Sequence, residues 1–387
     1  MIVSKLSLTD FRNYASLDVE LHRGPNLFVG SNGQGKTNLV ESVHYLGIVG
    51  SHRVPSDHAL IRQGRDAAII RATLVNGERE LLVEVQINRS APNRAQVNRS
   101  AIKSRDLPRY FSSVLFAPED LVLVRGDPGA RRRFMDELLA LRAPRMSGVL
   151  ADYDRVLKQR NTLLKTARSA RGSTEELKTL EIWGDRLADF GAEIIHARSV
   201  LVDELAPRVA LAYAQIAGAD HGPKLHNTMT ALSHDADEQV DDPGRDHRVI
   251  SVDDARASFR TALDRARRAE LDRAITLVGP HRDDLVLGLN GLPARGYASH
   301  GESWSFALAL KLASASILRD ESRLGDPVLI LDDVFAELDE SRRGRLASAI
   351  RDYEQVLITA AVRGDVPEEL AGQTVRIRAG AVEADGN

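Results

Sequence analysis

The chain has no cysteine in 387 residues, which excludes disulfides and thiolate metal sites and is consistent with a reducing cytoplasm. It has no apolar run near the roughly 20 residues that a membrane-spanning helix needs. The opening Met1-Ile2-Val3-Ser4-Lys5-Leu6 lacks the shape of a signal peptide and reads as a first strand. Positive charge is not in excess either. With a net charge of −3, any nucleic acid must be held by a local patch rather than by the whole surface. There is no internal repeat, and no basic stretch is interleaved with aromatics, so stacking of single-stranded nucleic acid is poorly supported. None of His44, His52, His281 and His300 sits at paired ligand spacing, so the only metal expected is one that arrives with a ligand. What remains is 43% hydrophobic and 28% charged, an ordinary globular composition, long enough for two or more lobes.

The stretch that is present and specific is Gly30-Ser31-Asn32-Gly33-Gln34-Gly35-Lys36-Thr37. It fits the phosphate-binding P-loop pattern. Asn26 to Val29 before it reads as a short buried strand, and Asn38 to Val43 after it opens an apolar-periodic helix. A strand, a glycine-rich turn and a helix N-terminus make a concavity of backbone N–H groups suited to an anion. Lys36 is expected to reach the β- and γ-phosphates and Thr37 to hold Mg²⁺.

Residues 1–22 give two strands, with Leu17, Val19 and Leu21 alternating cleanly on the second. Further strands are expected at 67–75, 80–88 and 94–99, with Asn76-Gly77 as a hairpin turn, and a buried strand runs from Phe111 to Ala117. Asp127-Pro128 starts a helix as N-cap and first helical residue. From 145 to 217 the pattern is mostly helical, too short and irregular for a coiled-coil arm, and reads as a compact lobe. The Asp-, His- and Gly-rich segment 218–250 reads as a long mobile loop. Helix returns at 251–275, a hairpin follows around Asn290-Gly291, and a long helix starts at Ser303. A strand ending in Asp332 and Asp333, a helix at 339–351 and strands at 354–360 and 373–378 close the chain.

The apolar run Val328-Leu329-Ile330-Leu331 before Asp332 has the form of a Walker B strand. Such a strand is apolar because it lies centrally in a parallel sheet. Asp332 would reach the Mg²⁺ held by Thr37, and Asp333 stands where a general base or water-orienting carboxylate belongs. Ser299-His300-Gly301-Glu302 opens a helix. Taken alone it is an ordinary N-cap; after a P-loop and a helical insertion, and before Walker B, it reads as a second anion site.

That order resembles ABC-type ATPases, and the local text resembles the RecF family of bacterial recombination mediators. The resemblance is carried by Leu8-Thr9-Asp10-Phe11-Arg12-Asn13-Tyr14, Gly30 to Asn38, Ser51-His52-Arg53 and Leu115-Phe116-Ala117-Pro118-Glu119-Asp120-Leu121. It continues through Gly126-Asp127-Pro128, Arg131-Arg132-Arg133-Phe134-Met135-Asp136, Gly279-Pro280-His281-Arg282-Asp283-Asp284 and Leu331 to Asp339.

The resemblance implies an α/β fold, an ABC-type ATPase head whose mixed sheet has an antiparallel part, with a mostly helical arm lobe. The head would comprise 1–125 and 276–387, with the signature at 299–302 and Walker B at 328–333, and the arm lobe would be 126–275. Two heads would sandwich two ATPs. Ser299 and Gly301 would then touch the γ-phosphate on the other protomer, and Asp339 would lie at the seam. Arg12 and Asn13 would flank the nucleotide, and Glu119 would lie near the loop that couples nucleotide to arm. Glu302 departs from the glutamine frequent in the family, and either repels phosphate or caps its own helix. Candidate DNA contacts are Arg131, Arg132 and Arg133, together with Arg99, Lys103 and Arg105, each equally readable as a solvated face.

The implied activity is a weak, DNA-stimulated ATPase that acts as a switch in DNA replication, recombinational repair and the SOS response. It would work at the duplex–single-strand junctions of gaps, with RecR and RecO and indirectly RecA, in the nucleoid. The rivals are a transporter ATPase and a head that drives a separate nuclease. The early Phe11-Arg12-Asn13-Tyr14 loop and the long P-loop-to-signature distance argue against the first; the lack of a long coiled coil and hook cysteines argues against the second.

Overall fold

The computed structural model describes residues 1–169, 174–232, 247–322, 324–370 and 372–383. The chain divides into two compact units. The first is Met1–Leu121, Leu211–Ala219 and Trp304–Asn387; the second is Val122–Ala210 and Asp220–Ser303.

In the first unit, period-two alternation builds an antiparallel sheet. Strands β1 (Ile2–Phe11) and β2 (Tyr14–Glu20) turn Leu6, Leu8, Phe11, Tyr14, Leu17 and Val19 inward. Beside β1 lie β4 (Ala67–Asn76) and β5 (Arg79–Asn88), joined at Gly77, whose φ is 58°. Then come β6 (Arg94–Val97) and β7 (Ser100–Ile102), for an order β2-β1-β4-β5-β6-β7.

The second sheet holds the buried runs. It comprises β3 (Gly24–Val29), β8 (Ser113–Phe116), β12 (Val328–Asp332), β13 (Gln355–Ala360), β14 (Gln373–Arg378) and β15 (Ala381–Glu383). The order is β15-β14-β3-β13-β12-β8, parallel except for β15. Every residue of β12 and β13 is buried, as strands covered on both faces must be. Helix α1 (Lys36–Ile48) packs on β8, β12 and β13. Its Leu39, Val40, Val43 and Leu46 share one core with both sheets. Helix α9 (Glu340–Ile350) leads from β12 to β13.

The second unit is mostly helical: α2 (Leu121–Arg125), α3 (Pro128–Arg142), α4 (Arg145–Ser169), most of α5 (Thr174–Ala217) and α6 (Val252–Arg273). It also holds a small sheet, in which β10 (Asp284–Leu289) lies between β9 (Lys224–Thr228) and β11 (Leu292–Pro293). A kinked turn, α7 (Ala294–Tyr297), precedes α8 (His300–Glu321).

Two expectations change. The segment expected to be all loop contains β9, which pairs antiparallel with β10 through Asp284↔Thr228 to Gly288↔Lys224. Its alternation is short and its residues polar, so periodicity does not reveal it. Residues 233–246 of that expected loop lie outside the described residues. The expected boundaries also move: 122–125 and 276–303 belong to the second unit, and 211–219 to the first.

The helical unit is packed around a fixed ring. A Cβ at Gly191 of α5 would sit 2.4 Å from Phe259 Cε1, and one at Gly279 would sit 2.3 Å from Phe259 Cζ. Phe259 is fully buried between the two glycines, so it has nowhere to retreat. Alanine improves helix propensity by about 1 kcal/mol over glycine, but overpacking a tight core costs about 1–3 kcal/mol. Gly191→Ala should therefore destabilise the protein, by roughly 1–2 kcal/mol. A urea midpoint at or above that of the parent would refute this.

Candidate functional site

The P-loop leaves β3 and enters α1 through glycines that only their lack of a Cβ permits. Gly33 and Gly35 have φ of 82° and 115°, and a Cβ at Gly35 would lie 2.6 Å from Asn13 Nδ2. Lys36 is 3% exposed and its Nζ donates to the Gly30 carbonyl at 2.7 Å. The ammonium is thus held at the loop by a backbone carbonyl. The buried Tyr14 hydroxyl donates to the Gly35 carbonyl at 3.0 Å, and Asn13 Nδ2 donates to the Gln34 carbonyl at 3.2 Å. Ser31, Asn32 and Gly33 are exposed at the tip.

The Walker B residues meet this loop. Asp332 Oδ1 accepts from the Thr37 hydroxyl at 3.0 Å and from the Thr359 hydroxyl at 2.6 Å. Asp332 and Thr359 are register partners on β12 and β13, and Thr37 is the second residue of α1. Burial pushes the Asp332 carboxyl up to about 6, against the two hydroxyl donors and helped by the negative charge of Asp333. Asp333 has a left-handed backbone, φ 52°, and its N–H donates to Thr359 Oγ1 at 2.9 Å. One threonine hydroxyl therefore orders both acids.

Arg12, also at positive φ, forks onto Glu41 of α1 at 2.9 and 2.8 Å and donates to the Ala59 carbonyl at 3.1 Å. Glu41 is 1% exposed and also accepts from Ser51. Arg12 is thus anchored beside the P-loop helix, with its charge directed at Glu41. Asn13 takes its place against the loop, and its Oδ1 also accepts from Asn38 Nδ2 at 2.8 Å.

In the second unit, Ser299 and Glu302 form a reciprocal capping box. The Ser299 N–H donates to Glu302 Oε2 at 2.8 Å, and the Glu302 N–H donates to Ser299 Oγ at 3.3 Å. Glu302 caps its own helix, while Ser299 is exposed and Gly301 half-buried. In the first unit Asp339 caps α9, accepting from the Arg342 N–H at 3.0 Å and from Ser341 Oγ at 2.7 Å. These bonds, the Arg342 N–H first, hold its carboxyl down at about 2. Glu119 is exposed in a turn after β8, and its charge acts on Asp332.

The basic candidates separate. Arg131 is 4% exposed and forks onto Asp284 at 2.8 and 2.7 Å, with Nη1 on the Leu123 and Gly126 carbonyls. It is not available to DNA: the arginine run lies on α3, and helical periodicity turns its first member into the core. Arg132 is half-buried and donates to the Asp283 carbonyl at 2.7 Å; Arg133 is exposed. Arg99, Lys103 and Arg105 are exposed around β7, at one edge of the antiparallel sheet.

Sequence reading missed Thr359, Glu41, Ser51 and Tyr14. Thr359 left one signal, a polar residue near the end of an otherwise apolar strand. The others depend on tertiary placement. Among the described residues no group of three or more His, Asp or Glu could hold a metal ion.

A family model described as the RecF/RecN/SMC N terminal domain matches residues 2–380. The DNA replication and repair protein RecF of Clavibacter sepedonicus is 62% identical over 386 residues, covering 99% of this chain and 95% of that protein. That of Frankia alni is 51% identical over 385 residues, covering 99% of both. Among solved structures, the recombination mediator protein RecF-ATPrS of the RecFOR pathway matches with a TM-score of 0.87 at 27% identity, covering 100% of this chain and 98% of that one. An Smc head bound to the C-winged helix domain of ScpA matches at 0.54 and 14% identity, covering 99% and 96%, and shares the fold alone.

Removing one partner of a buried ion pair leaves an uncompensated charge and costs about 3–5 kcal/mol. Arg131→Ala should destabilise the protein by that order, whereas Arg133→Ala should stay within about 0.5 kcal/mol. Chemical unfolding of the two variants checks this. Equal stability for both would return Arg131 to the list of DNA contacts.

Proposed function

The chain belongs to the RecF family, and on that premise we propose that it is an ATP-gated DNA-binding protein of DNA replication and recombinational repair. The observation that carries this reading is the convergence of the P-loop, Thr37, Asp332 and Asp333, with one hydroxyl–carboxylate contact of 3.0 Å joining loop to Walker B.

The P-loop N–H groups would receive the phosphates of ATP, with Lys36 exchanging the Gly30 carbonyl for phosphate oxygen. Thr37 Oγ1 and the Asp332 carboxylate are adjacent hard oxygen ligands and fit Mg²⁺, which binds through one or two protein groups plus substrate phosphates. When bound, that ion would neutralise charge on the β- and γ-phosphates. Asp333 would orient the attacking water, its backbone fixed by Thr359.

Ser299 and Gly301 would meet the γ-phosphate held by a second protomer, with Asp339 at the same seam. Contacts made only in the closed dimer would then shift the population toward it, and hydrolysis would release it. Arg99, Lys103, Arg105, Arg132 and Arg133 supply candidate DNA contacts, which would bind the phosphate backbone without reading sequence. The preferred DNA would be the duplex–single-strand junction of a gap. RecR and RecO, and indirectly RecA, are the partners the family suggests, with SOS induction downstream.

Light scattering and salt-titrated binding to a gapped duplex test this together. ATP should double the mass and tighten DNA binding, and Lys36→Ala should abolish both effects. Asp333→Asn should retain both while slowing a turnover expected at or below about 1 s⁻¹, the low end for enzymes. DNA binding indifferent to ATP and to Lys36→Ala would overturn the gating.

A further inference from the structure

The P-loop is gripped from outside by a hairpin 345 residues downstream. Strand β14 lies beside β3, and its Ile377 carbonyl oxygen sits so close to Gly30 that a Cβ there would be 2.3 Å away. At the β14–β15 tip the Ala379 N–H donates to Gln34 Oε1 at 2.6 Å, and the Gly380 N–H donates to the Gln34 carbonyl at 3.0 Å. Both donors face the loop because both tip residues have positive φ, 49° and 74°. Such a two-residue turn suits a hairpin, but alanine in it is strained. Strain of this kind persists where the surrounding contacts enforce it. Asn13 packs at the same junction: its Nδ2 shares the Gln34 carbonyl, and its own carbonyl would lie 3.0 Å from a Cβ at Gly380.

We infer that the β14–β15 hairpin is a positioning element of the nucleotide site and that Gln34 is the positioning residue through which it acts. Gln34 sits inside the P-loop, yet its side-chain oxygen and its carbonyl are both turned to the hairpin tip. Docking there holds the loop between Gly30 and Gly35 in one conformation, with its N–H groups aimed inward before nucleotide arrives. A preordered loop binds more tightly because less ordering remains to be done on binding. The inference rests on the P-loop binding nucleotide as proposed above.

The test is binding of a fluorescent ATP analogue with Mg²⁺ by the full chain, alongside thermal unfolding. Gln34→Leu keeps bulk and removes the side-chain acceptor. It should weaken affinity by about three- to tenfold, the weight of one neutral hydrogen bond, with the thermal midpoint unmoved and KM rising more than kcat falls. Gly380→Val strains the tip from the hairpin side with Gln34 intact, and should give a loss of similar size.

Unchanged affinity in Gln34→Leu overturns the inference. So does a loss in Gln34→Leu without one in Gly380→Val, since Gln34 would then act on the nucleotide directly. If Gly380→Val lowers the thermal midpoint, amide exchange at Ala379 decides instead. It should be slowed by nucleotide in the parent and fast in Gln34→Leu, and indifference to both overturns the latch. Failure of the parent chain to bind the analogue is a different outcome, which removes the functional proposal itself.

Discussion

The Asp332 carboxylate is buried among apolar strands, where a charge is costly unless it is well partnered. Its partners come from two other elements, Thr37 of α1 and Thr359 of β13, and both hydroxyls converge on the same oxygen. One acid thereby joins the helix that begins at the P-loop, its own strand and the strand between them in the sheet. The environment that makes it expensive also makes it useful, because a carboxylate raised to about 6 by burial stands to gain from a cation. The parallel order of β3, β13 and β12 exists in this sense to bring Thr37, Thr359 and Asp332 to one end of the sheet.

Much of this was legible in the residues. The P-loop, Walker B and the alternating strands of the antiparallel sheet are local patterns, and local patterns survive folding. What was not legible depends on which face of a helix meets the core. Arg131 and Arg133 are two residues apart in one run, yet the first is buried on Asp284 and the second is exposed. Nothing in an arginine triplet says which member turns inward; only the packing of α3 on β10 decides it. Glu302 shows the opposite case. Its spacing from Ser299 is that of a capping box, and the structure makes that box.

The arginine content acquires a second meaning from the helical unit. Arg131 pairs with Asp284, Arg160 with Glu270 and Arg198 with Asp136, each guanidinium at most 5% exposed. Arg160 also donates to the Thr276 hydroxyl and Arg198 to the Pro280 carbonyl. A planar fork with several donors can satisfy a carboxylate and a backbone carbonyl together, which an ammonium cannot do in fixed geometry. Buried pairs of this kind add little net stability against an apolar core, but removing one partner leaves a buried charge uncompensated. In this unit they join helices to the turns that carry Thr276 and Pro280 and to the first residue of β10, Asp284.

The pairing of β3 bears on how the protein is made. The strand that launches the P-loop has β13 and β14 as its neighbours, and both come from the far end of the chain. During synthesis, residues 24–29 must wait through most of translation before either neighbour leaves the ribosome. Non-local pairing of this kind is slow to form and leaves strand edges open meanwhile. The second unit, by contrast, is complete once Ser303 has been made. The helical unit can therefore be folded while the P-loop and Asp332 are still apart, so a nascent chain stalled before β13 would have a P-loop sequence but no sheet to hold it.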